Sequence, residues 1–279
     1  RGMCRLWPRQ PRCCRNLDRH MPLTAEQEKA LKPLLLKGTL ATDASLEPFL
    51  AAVEPDLLAA LGTDHPLAGD SLQLHRFLVA RKLKVPATVE MISAHVKWRA
   101  ENLPIKPEGA VLAELQKGKF YSYGTDAAGR PLVLIHSGKF DPATRDLEAS
   151  VRSVFYEIER VIAQLPPGQA QFAVFYDRTG FSIKKNWDYT LLKAVFTQLS
   201  DNYPERLGAG YVYPSGKLLP MLWGLVKHFL DARTRSKVKF INTQEELLKS
   251  LPAEYVPTAY GGSSTHAFDP ATCGLVSGE

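Results

Sequence analysis

From residue 111 onward, apolar strand-like runs alternate with helical segments, and this alternation limits the possible folds more than any other feature. Residues 171–177 form a nearly continuous apolar run, as expected for a strand that is covered on both faces. Residues 147–165 keep apolar side chains at a 3.6-residue period, and the Pro-Pro-Gly sequence that follows ends the helix. Strand–helix–strand alternation implies right-handed crossovers and parallel pairing. The sequence therefore predicts an α/β fold with a mostly parallel β-sheet and flanking helices.

The pattern before residue 111 differs, because it is helical throughout. Apolar residues at helical spacing follow Asp70, a candidate N-cap, and Pro86 stands near the start of a further helix. We therefore expect three parts: a basic leader or disordered segment over residues 1–20, a small all-helical N-terminal domain over residues 21–110, and an α/β domain over residues 111–279.

Residues 1–20 carry most of the net charge. They hold six arginines and one acidic residue, which account for five of the six net positive charges of the chain. The rest of the chain is close to neutral, so we expect no nucleic-acid partner. Three explanations of this segment stay open: an arginine-rich transit peptide, an upstream stretch that is not normally translated, or a disordered basic tail.

The motifs of common enzymes and metal sites are missing from the sequence. There is no G-x-S-x-G turn, and residues 210–218 fail as a phosphate loop because Leu218 stands where Ser or Thr is needed. The histidines and Cys273 show no metal-ligand spacing. We therefore expect no enzyme, no metal and no cofactor. Beyond residue 21 the chain has one cysteine, which fits a reducing compartment.

Residues 217–230 predict a helix with more apolar surface than one packing face requires, which is an arc of about 100°. The apolar positions form two adjacent stripes: Leu218, Leu222, Leu225 and Phe229, and Leu219, Trp223, Val226 and Leu230. Two explanations stay open. The helix is buried on two sides, or it is a gate that covers a cavity and meets a membrane when it swings out.

Two opposite charges precede neighbouring strands in the predicted sheet. Glu205 comes two residues before the strand 207–213, and Lys237 comes one residue before the strand 238–241. If these strands are parallel neighbours, their amino ends lie at one edge of the sheet. We expect Glu205 and Lys237 to pair there, although a lone surface pair contributes only about 0–1 kcal/mol.

Several separated blocks of the sequence resemble the CRAL-TRIO family, which includes phosphatidylinositol/phosphatidylcholine transfer proteins and retinal- and tocopherol-binding proteins. The blocks span about residues 70–262 in the order of the family: "LHRFLVARK", "DAAGRPLVL", "YPERLGAGYV", "DARTRSKVKFI" and "LPAEYVPTAYGG". The resemblance implies an α/β lipid cage with a gate helix, preceded by a small all-helical domain. It also implies that the chain binds one lipid, phosphatidylinositol, and transfers or presents it between membranes.

The resemblance assigns residues to the two ends of such a ligand. The headgroup residues are Arg81, Lys82, Glu205, Arg206, Thr234 and Lys237. The cavity and gate residues are Phe175, Tyr211, Tyr213, Leu218, Leu219, Leu222, Trp223, Leu225, Val226 and Phe229. The expected partners are a phospholipid and, transiently, a membrane surface, and we expect a monomer.

One departure from the family leaves the ligand open. Phosphatidylcholine-binding members carry small hydroxyl residues on the strand that corresponds to residues 172–175, and this chain has none there. A retinoid, tocopherol or sterol-like ligand and a lipid-sensing module therefore remain alternatives, with a small α/β enzyme as a third. We expect a cytoplasmic, peripheral membrane protein, or a plastid or mitochondrial one if residues 1–20 are a transit peptide.

We predict that residues 1–20 are dispensable for lipid binding, because they contain no periodic apolar residues. A shortened chain that starts at Met21 should take up lipid from vesicles as well as the full chain does, as measured by native mass spectrometry. A large loss of uptake would show instead that the arginines contact the ligand or an anionic membrane.

Overall fold

The computed structural model describes residues 44–62, 64–216 and 219–273, together with residues 24, 26, 27, 29–31 and 275. The predicted segment 1–20 lies outside the described residues. In the described part of the chain from residue 44 onward, four helices come before the first strand: α1 (Glu47–Leu61), α2 (Ser71–Ala80), α3 (Val85–Asn102) and α4 (Gly109–Gln116). The Asp70 side chain caps α2 by accepting a hydrogen bond from the backbone amide of Gln73 at 2.9 Å, as the sequence suggested.

A five-stranded sheet forms the centre of the α/β part, in the order β1-β2-β3-β4-β5. Its strands are β1 (Phe120–Thr125), β2 (Pro131–His136), β3 (Phe172–Asp177), β4 (Leu207–Tyr213) and β5 (Val238–Phe240). The first two strands pair antiparallel, and every later neighbour pairs parallel. The predicted mostly parallel sheet is therefore confirmed.

Helices make each parallel connection. They are α5 (Leu147–Ala163), α6 (Ile183–Asn186), α7 (Tyr189–Asn202), α8 (Leu219–Val226) and α9 (Ala232–Ser236), and α10 (Gln244–Ser250) follows the last strand. Helix α5 matches the predicted amphipathic helix to within two residues. Its apolar stripe is buried because Phe155, Ile158 and Val161 are each at most 2% exposed.

The two faces of the sheet meet different partners, because successive side chains of a strand point to opposite sides. Phe172 of β3 belongs to the core beneath α4, α5 and α7. Ala173 and Phe175 belong to a second core on the other face, which includes apolar residues of α10 and of the segment that follows it.

This alternation corrects two residues that the sequence assigned to the lipid cavity. Phe175 and Tyr213 lie in the second core, 1% and 8% exposed, and Tyr213 packs there against Tyr260 with ring centroids 5.2 Å apart. The strands are apolar at nearly every position. Hydrophobicity therefore could not show which alternate set of side chains faces which side.

The N-terminal helices pack on the α/β part through polar contacts as well as rings. Arg99 of α3 donates two hydrogen bonds to the carboxylate of Glu159, at 2.9 and 3.0 Å. Trp98 packs edge-on against Phe155 and Tyr203, with centroid distances of 5.9 and 5.8 Å. The division into domains at residue 110 stays a prediction. Helix α3 nevertheless contacts the α/β part through these hydrogen bonds and ring contacts.

We predict a pH-dependent loss of stability that originates at His95 in this contact. His95 is 4% exposed and lies 3.3 Å from Asn202, and burial lowers the pKa of its imidazole to about 4. The nearby Arg99 and Arg76 lower that pKa further. The unfolded chain, with a histidine pKa of about 6.5, binds the proton first, so stability falls as the pH falls below 6.5.

Urea unfolding at pH 7 and pH 5 measures this effect. A His95→Phe variant should lose about 1–2 kcal/mol less stability than the wild type between the two pH values. A variant of the exposed His228, His228→Gln, should lose as much as the wild type. If His95→Phe also matched the wild type, the buried imidazole would not be the group responsible.

Candidate functional site

A cavity of about 900 Å³ lies between β3, β4 and β5 and helices α5, α7 and α8. This volume is near the upper end of the range of about 300–1,000 Å³ that is typical of small-molecule pockets. The middle of the cavity is apolar, with side chains that include Ile158, Val174, Leu191, Val195, Leu199 and Phe229. Charged and polar side chains lie at its two ends.

One charged end is built where the sequence predicted it, at the amino ends of β4 and β5. The two strands are parallel neighbours. The Nζ atom of Lys237 lies 3.2 Å from Oε2 of Glu205. The predicted pair is therefore confirmed. It is not a surface pair, however, because the two side chains are 7% and 8% exposed. Parallel sheets usually bind ligands at the carboxyl ends of their strands, so this edge is unusual.

A third charge, which the sequence analysis missed, completes this cluster. The Nε atom of Arg233 lies 3.1 Å from the same oxygen of Glu205, and the Arg233 side chain is 9% exposed. Burial lowers the pKa of both Arg233 and Lys237, and the negative charge of Glu205 opposes this effect. We call Glu205, Arg233 and Lys237 the buried charge cluster.

A short helix positions two members of this cluster. The side chain of Asp231 caps α9 by accepting hydrogen bonds from the backbone amides of Arg233 and Thr234, at 2.8 and 2.9 Å. The hydroxyl group of Thr234 donates to the same carboxylate at 2.7 Å. This cap fixes the single turn that carries Arg233 and Thr234 and leads directly to Lys237.

All six predicted headgroup residues line the cavity. Glu205 and Lys237 belong to the buried charge cluster, and Thr234 follows Arg233 on α9. Arg81 and Lys82 join the cavity lining from the end of α2, while Arg206 is held by a 2.9 Å hydrogen bond to the carbonyl oxygen of Ala170. Burial lowers the pKa of Arg206 to about 10. Their roles in binding stay predictions.

The backbone around this end is unusual. Lys82 and Glu205 have φ angles of 55° and 58°, in the left-handed region that residues other than glycine rarely adopt. Such conformations cost roughly 1–3 kcal/mol each and are concentrated at functional sites. The buried Arg76 donates a 2.8 Å hydrogen bond to the carbonyl oxygen of Pro204 and thereby supports the backbone just before Glu205.

The predicted gate corresponds to α8 and to the turn of 3₁₀ helix that follows it, Lys227–Phe229. Leu222, Trp223, Val226 and Phe229 line the cavity as predicted, and so does Leu230. Ring contacts fix this side: Trp223 packs on Phe240 at 5.1 Å, and Phe229 stacks on Phe196 at 5.9 Å.

The outer side of α8 corrects one member of the predicted set of cavity and gate residues. Leu225 is 49% exposed and Met221 is 56% exposed, so Leu225 points away from the cavity. The helix uses parts of both predicted stripes for its inner face. Leu218 lies outside the described residues, and the position of the Leu219 side chain is not described. Tyr211 contributes to the cavity wall, although its side chain packs in the second core.

Arg178 lines the cavity just after β3, at the carboxyl end of the strand, and no sequence pattern indicates this role. It donates hydrogen bonds to the carbonyl oxygens of Pro214 and Ser215 in the segment before α8. Within the described residues, no group of His, Cys, Asp and Glu is arranged to hold a metal ion. No described helix is both long enough and apolar enough to cross a membrane.

A mostly parallel sheet that walls a large apolar cavity, closed by a short apolar helix, defines an α/β protein built to enclose a small molecule. The family model of the CRAL/TRIO domain matches residues 115–262. The chain belongs to this family.

Its relatives and structural neighbours agree with this assignment. The chain is 29% identical over 236 residues to the "Phosphatidylinositol transfer protein CSR1" of Eremothecium gossypii, covering 78% of this chain and 52% of that one. It is 30% identical over 254 residues to the "SEC14 cytosolic factor" of Candida glabrata, covering 84% and 82%. The chain spans about half the length of the curated relatives from Eremothecium gossypii and Schizosaccharomyces pombe.

A solved structure has the same fold. The crystal structure of Sfh5 superimposes with a TM-score of 0.58 at 16% sequence identity, covering 86% of this chain and 89% of that one. The likeness confirms the fold class that the resemblance implied.

Proposed function

We propose that the chain binds one phospholipid, phosphatidylinositol, in this cavity and transfers or presents it between membranes as a monomeric, peripheral protein on their cytoplasmic side. The observation that carries the proposal is the joining of a long apolar cavity to a buried charge cluster at one end. Acyl chains fit the first part, and a phosphate with hydroxyl groups fits the second. The Eremothecium gossypii relative is named a phosphatidylinositol transfer protein.

Solvation energy explains why an enclosed cavity is needed. Two acyl chains of about sixteen carbons would lose roughly 25 kcal/mol on exposure to water, at about 0.8 kcal/mol per methylene. A cavity lined by Leu, Val, Ile and Phe only has to match the bilayer interior. Exchange with a membrane is then nearly balanced, and the headgroup contacts decide which lipid is held.

The charged end favours an inositol phosphate over an uncharged ligand. Lys82, Arg206 and Lys237 supply positive charge for a phosphate, while Glu205 accepts hydrogen bonds from hydroxyl groups. The cavity face of β3 presents Phe172 and Val174, which offer no small hydroxyl for a phosphatidylcholine headgroup. A retinoid or sterol-like ligand would leave the cations without an anion.

A hydrogen-bonded chain of tyrosine, histidine and aspartate is the feature that bears on the alternative of a small hydrolase. Tyr121 and Asp177 each lie 3.1 Å from a ring nitrogen of His136. None of the three lines the cavity. Tyr121 is 4% exposed, and burial raises the pKa of its hydroxyl group, so it stays protonated and unreactive. This arrangement favours a carrier over a hydrolase.

We predict that Lys82→Ala combined with Lys237→Ala abolishes the uptake of phosphatidylinositol from vesicles. The wild type should carry close to one lipid per chain by native mass spectrometry, because the apolar cavity and the cations are both present. Replacing two exposed lysines outside the cavity lining, Lys97→Ala with Lys249→Ala, should leave uptake unchanged.

Circular dichroism must confirm folding of the double variant, because the Lys237 side chain is buried and its loss could disturb the fold. Equal uptake by the double variant and the wild type would show that the assigned headgroup residues are wrong. A wild-type protein that takes up no lipid at all would remove the proposed function.

We predict that α8 moves when the protein meets a membrane. Its outer residues Met221 and Leu225 are exposed apolar side chains, 56% and 49% exposed. Apolar surfaces of this kind insert at the lipid interface. A fluorophore at position 225, in a chain whose native cysteines are replaced by serine, should change its emission when vesicles are added.

The control label is at Leu248, which is 36% exposed on α10. The emission of this label should not change when vesicles are added.

Trp223→Ala should lower stability by less than the roughly 3–5 kcal/mol that a fully packed aromatic contributes, since Trp223 is half-buried. The same variant should slow lipid exchange. A silent label at position 225 together with a full core-sized loss in Trp223→Ala would indicate a static helix.

A further inference from the structure

Arg233 has hydrogen-bonding groups that nothing in the described structure satisfies. Its Nε atom lies 3.1 Å from Glu205 but is not aligned for a hydrogen bond, and both Nε and Nη2 are buried without a partner. An unpaired buried donor is costly, and more so when it carries charge. Arg233 is 8% exposed and lines the cavity. Its open groups therefore lie where a ligand would be.

The cavity lining as a whole carries more positive than negative charge. Glu205 offers one oxygen to both Arg233 and Lys237, and the carboxylate of Asp231 adds a second negative charge close to them. These four side chains balance formally. The further cations Arg81, Lys82 and Arg206 also line the cavity, so an anionic ligand would meet an excess of positive charge there.

The shape of the open groups restricts which anion fits. The Nε and Nη2 atoms of an arginine lie on one edge of its planar fork, and this edge matches two oxygens of one phosphate or carboxylate. The excess of positive charge among the side chains that line the cavity favours a phosphate. Because the same cavity continues into its apolar part, a phosphate on a lipid headgroup can bind while its acyl chains stay buried.

We propose that Arg233 is a specificity-determining residue that holds the phosphate of a lipid headgroup through Nε and Nη2, so that the cavity selects phosphate-bearing lipids over uncharged ones. This inference rests on the proposed function and adds to it a binding residue and the group it recognises. The family resemblance assigns Thr234 and Lys237 on the same segment, but gives Arg233 no role.

A competition between two lipids with the same acyl chains tests the proposal. The protein is incubated with phosphatidylinositol vesicles that contain one-tenth diacylglycerol, and native mass spectrometry measures the ratio of the two bound lipids. Arg233→Leu should lower the ratio of phosphatidylinositol to diacylglycerol about tenfold, as expected for the loss of a charged hydrogen-bonded contact. Arg233→Lys keeps the charge without the fork and should fall between Arg233→Leu and the wild type.

The matched control is Arg235→Leu, two residues along the same helix. Arg235 is exposed and does not line the cavity, so this variant should keep the wild-type ratio. Stability separates a binding role from a structural one. Because Glu205 keeps its contact with Lys237 in the variant, lipid-free Arg233→Leu should unfold at a temperature close to that of the wild type. A structural residue would lower that temperature.

Each remaining outcome contradicts a different statement. An unchanged lipid ratio in Arg233→Leu overturns the role of Arg233 and leaves the proposed function standing. A wild type that binds neither lipid overturns the proposed function itself. Uptake of oleate that depends on Arg233, with unchanged phosphatidylinositol uptake, would assign a carboxylate instead. Displacement of bound phosphatidylinositol by millimolar inorganic phosphate would identify free phosphate, not a lipid, as the ligand.

Discussion

The contact of Arg233 and Lys237 with one oxygen of Glu205 is the interaction on which the site depends. It exists because β4 and β5 are parallel neighbours, so the residues that precede them meet at one edge of the sheet. Burial makes every charge there expensive. Two cations that share one carboxylate form an arrangement that an anionic ligand can complete, which ties the sheet topology directly to recognition.

The same topology separates the apolar part of the cavity from the buried charge cluster. Strand β3 presents Phe172, Val174 and Tyr176 to the cavity, and its Ala173 and Phe175 belong to a second core with α10. The sheet thus forms one wall of the cavity, with an apolar face toward the cavity and charged side chains at the edge where β4 and β5 begin. Helix α8 closes the cavity with an inner face of Leu222 and Trp223 while Met221 and Leu225 stay outside. The side chains that enclose the cavity and the exposed apolar side chains that we propose to meet a membrane therefore lie on opposite sides of one short helix.

Much of this arrangement could be predicted, because strand alternation and family motifs specify which segments become neighbours. The Glu205–Lys237 pair followed from that order alone. Which side of a strand or helix faces the cavity could not be predicted. Phe175 was misplaced because β3 is apolar at nearly every position, and Leu225 because an apolar arc does not show which part faces inward. Arg233 and Arg235 stand two residues apart on one turn, and only tertiary packing shows which is buried.

The left-handed backbone at Lys82 and Glu205 has an evolutionary consequence. Glycine adopts such angles without strain, and asparagine tolerates them better than most residues. A lineage that no longer needed the two charged side chains would therefore drift toward glycine or asparagine at these positions and gain stability. At these two positions, selection for a charged side chain opposes selection for a residue that adopts left-handed φ angles without strain. Homologues that carry glycine or asparagine at both positions would be those in which the ligand has changed.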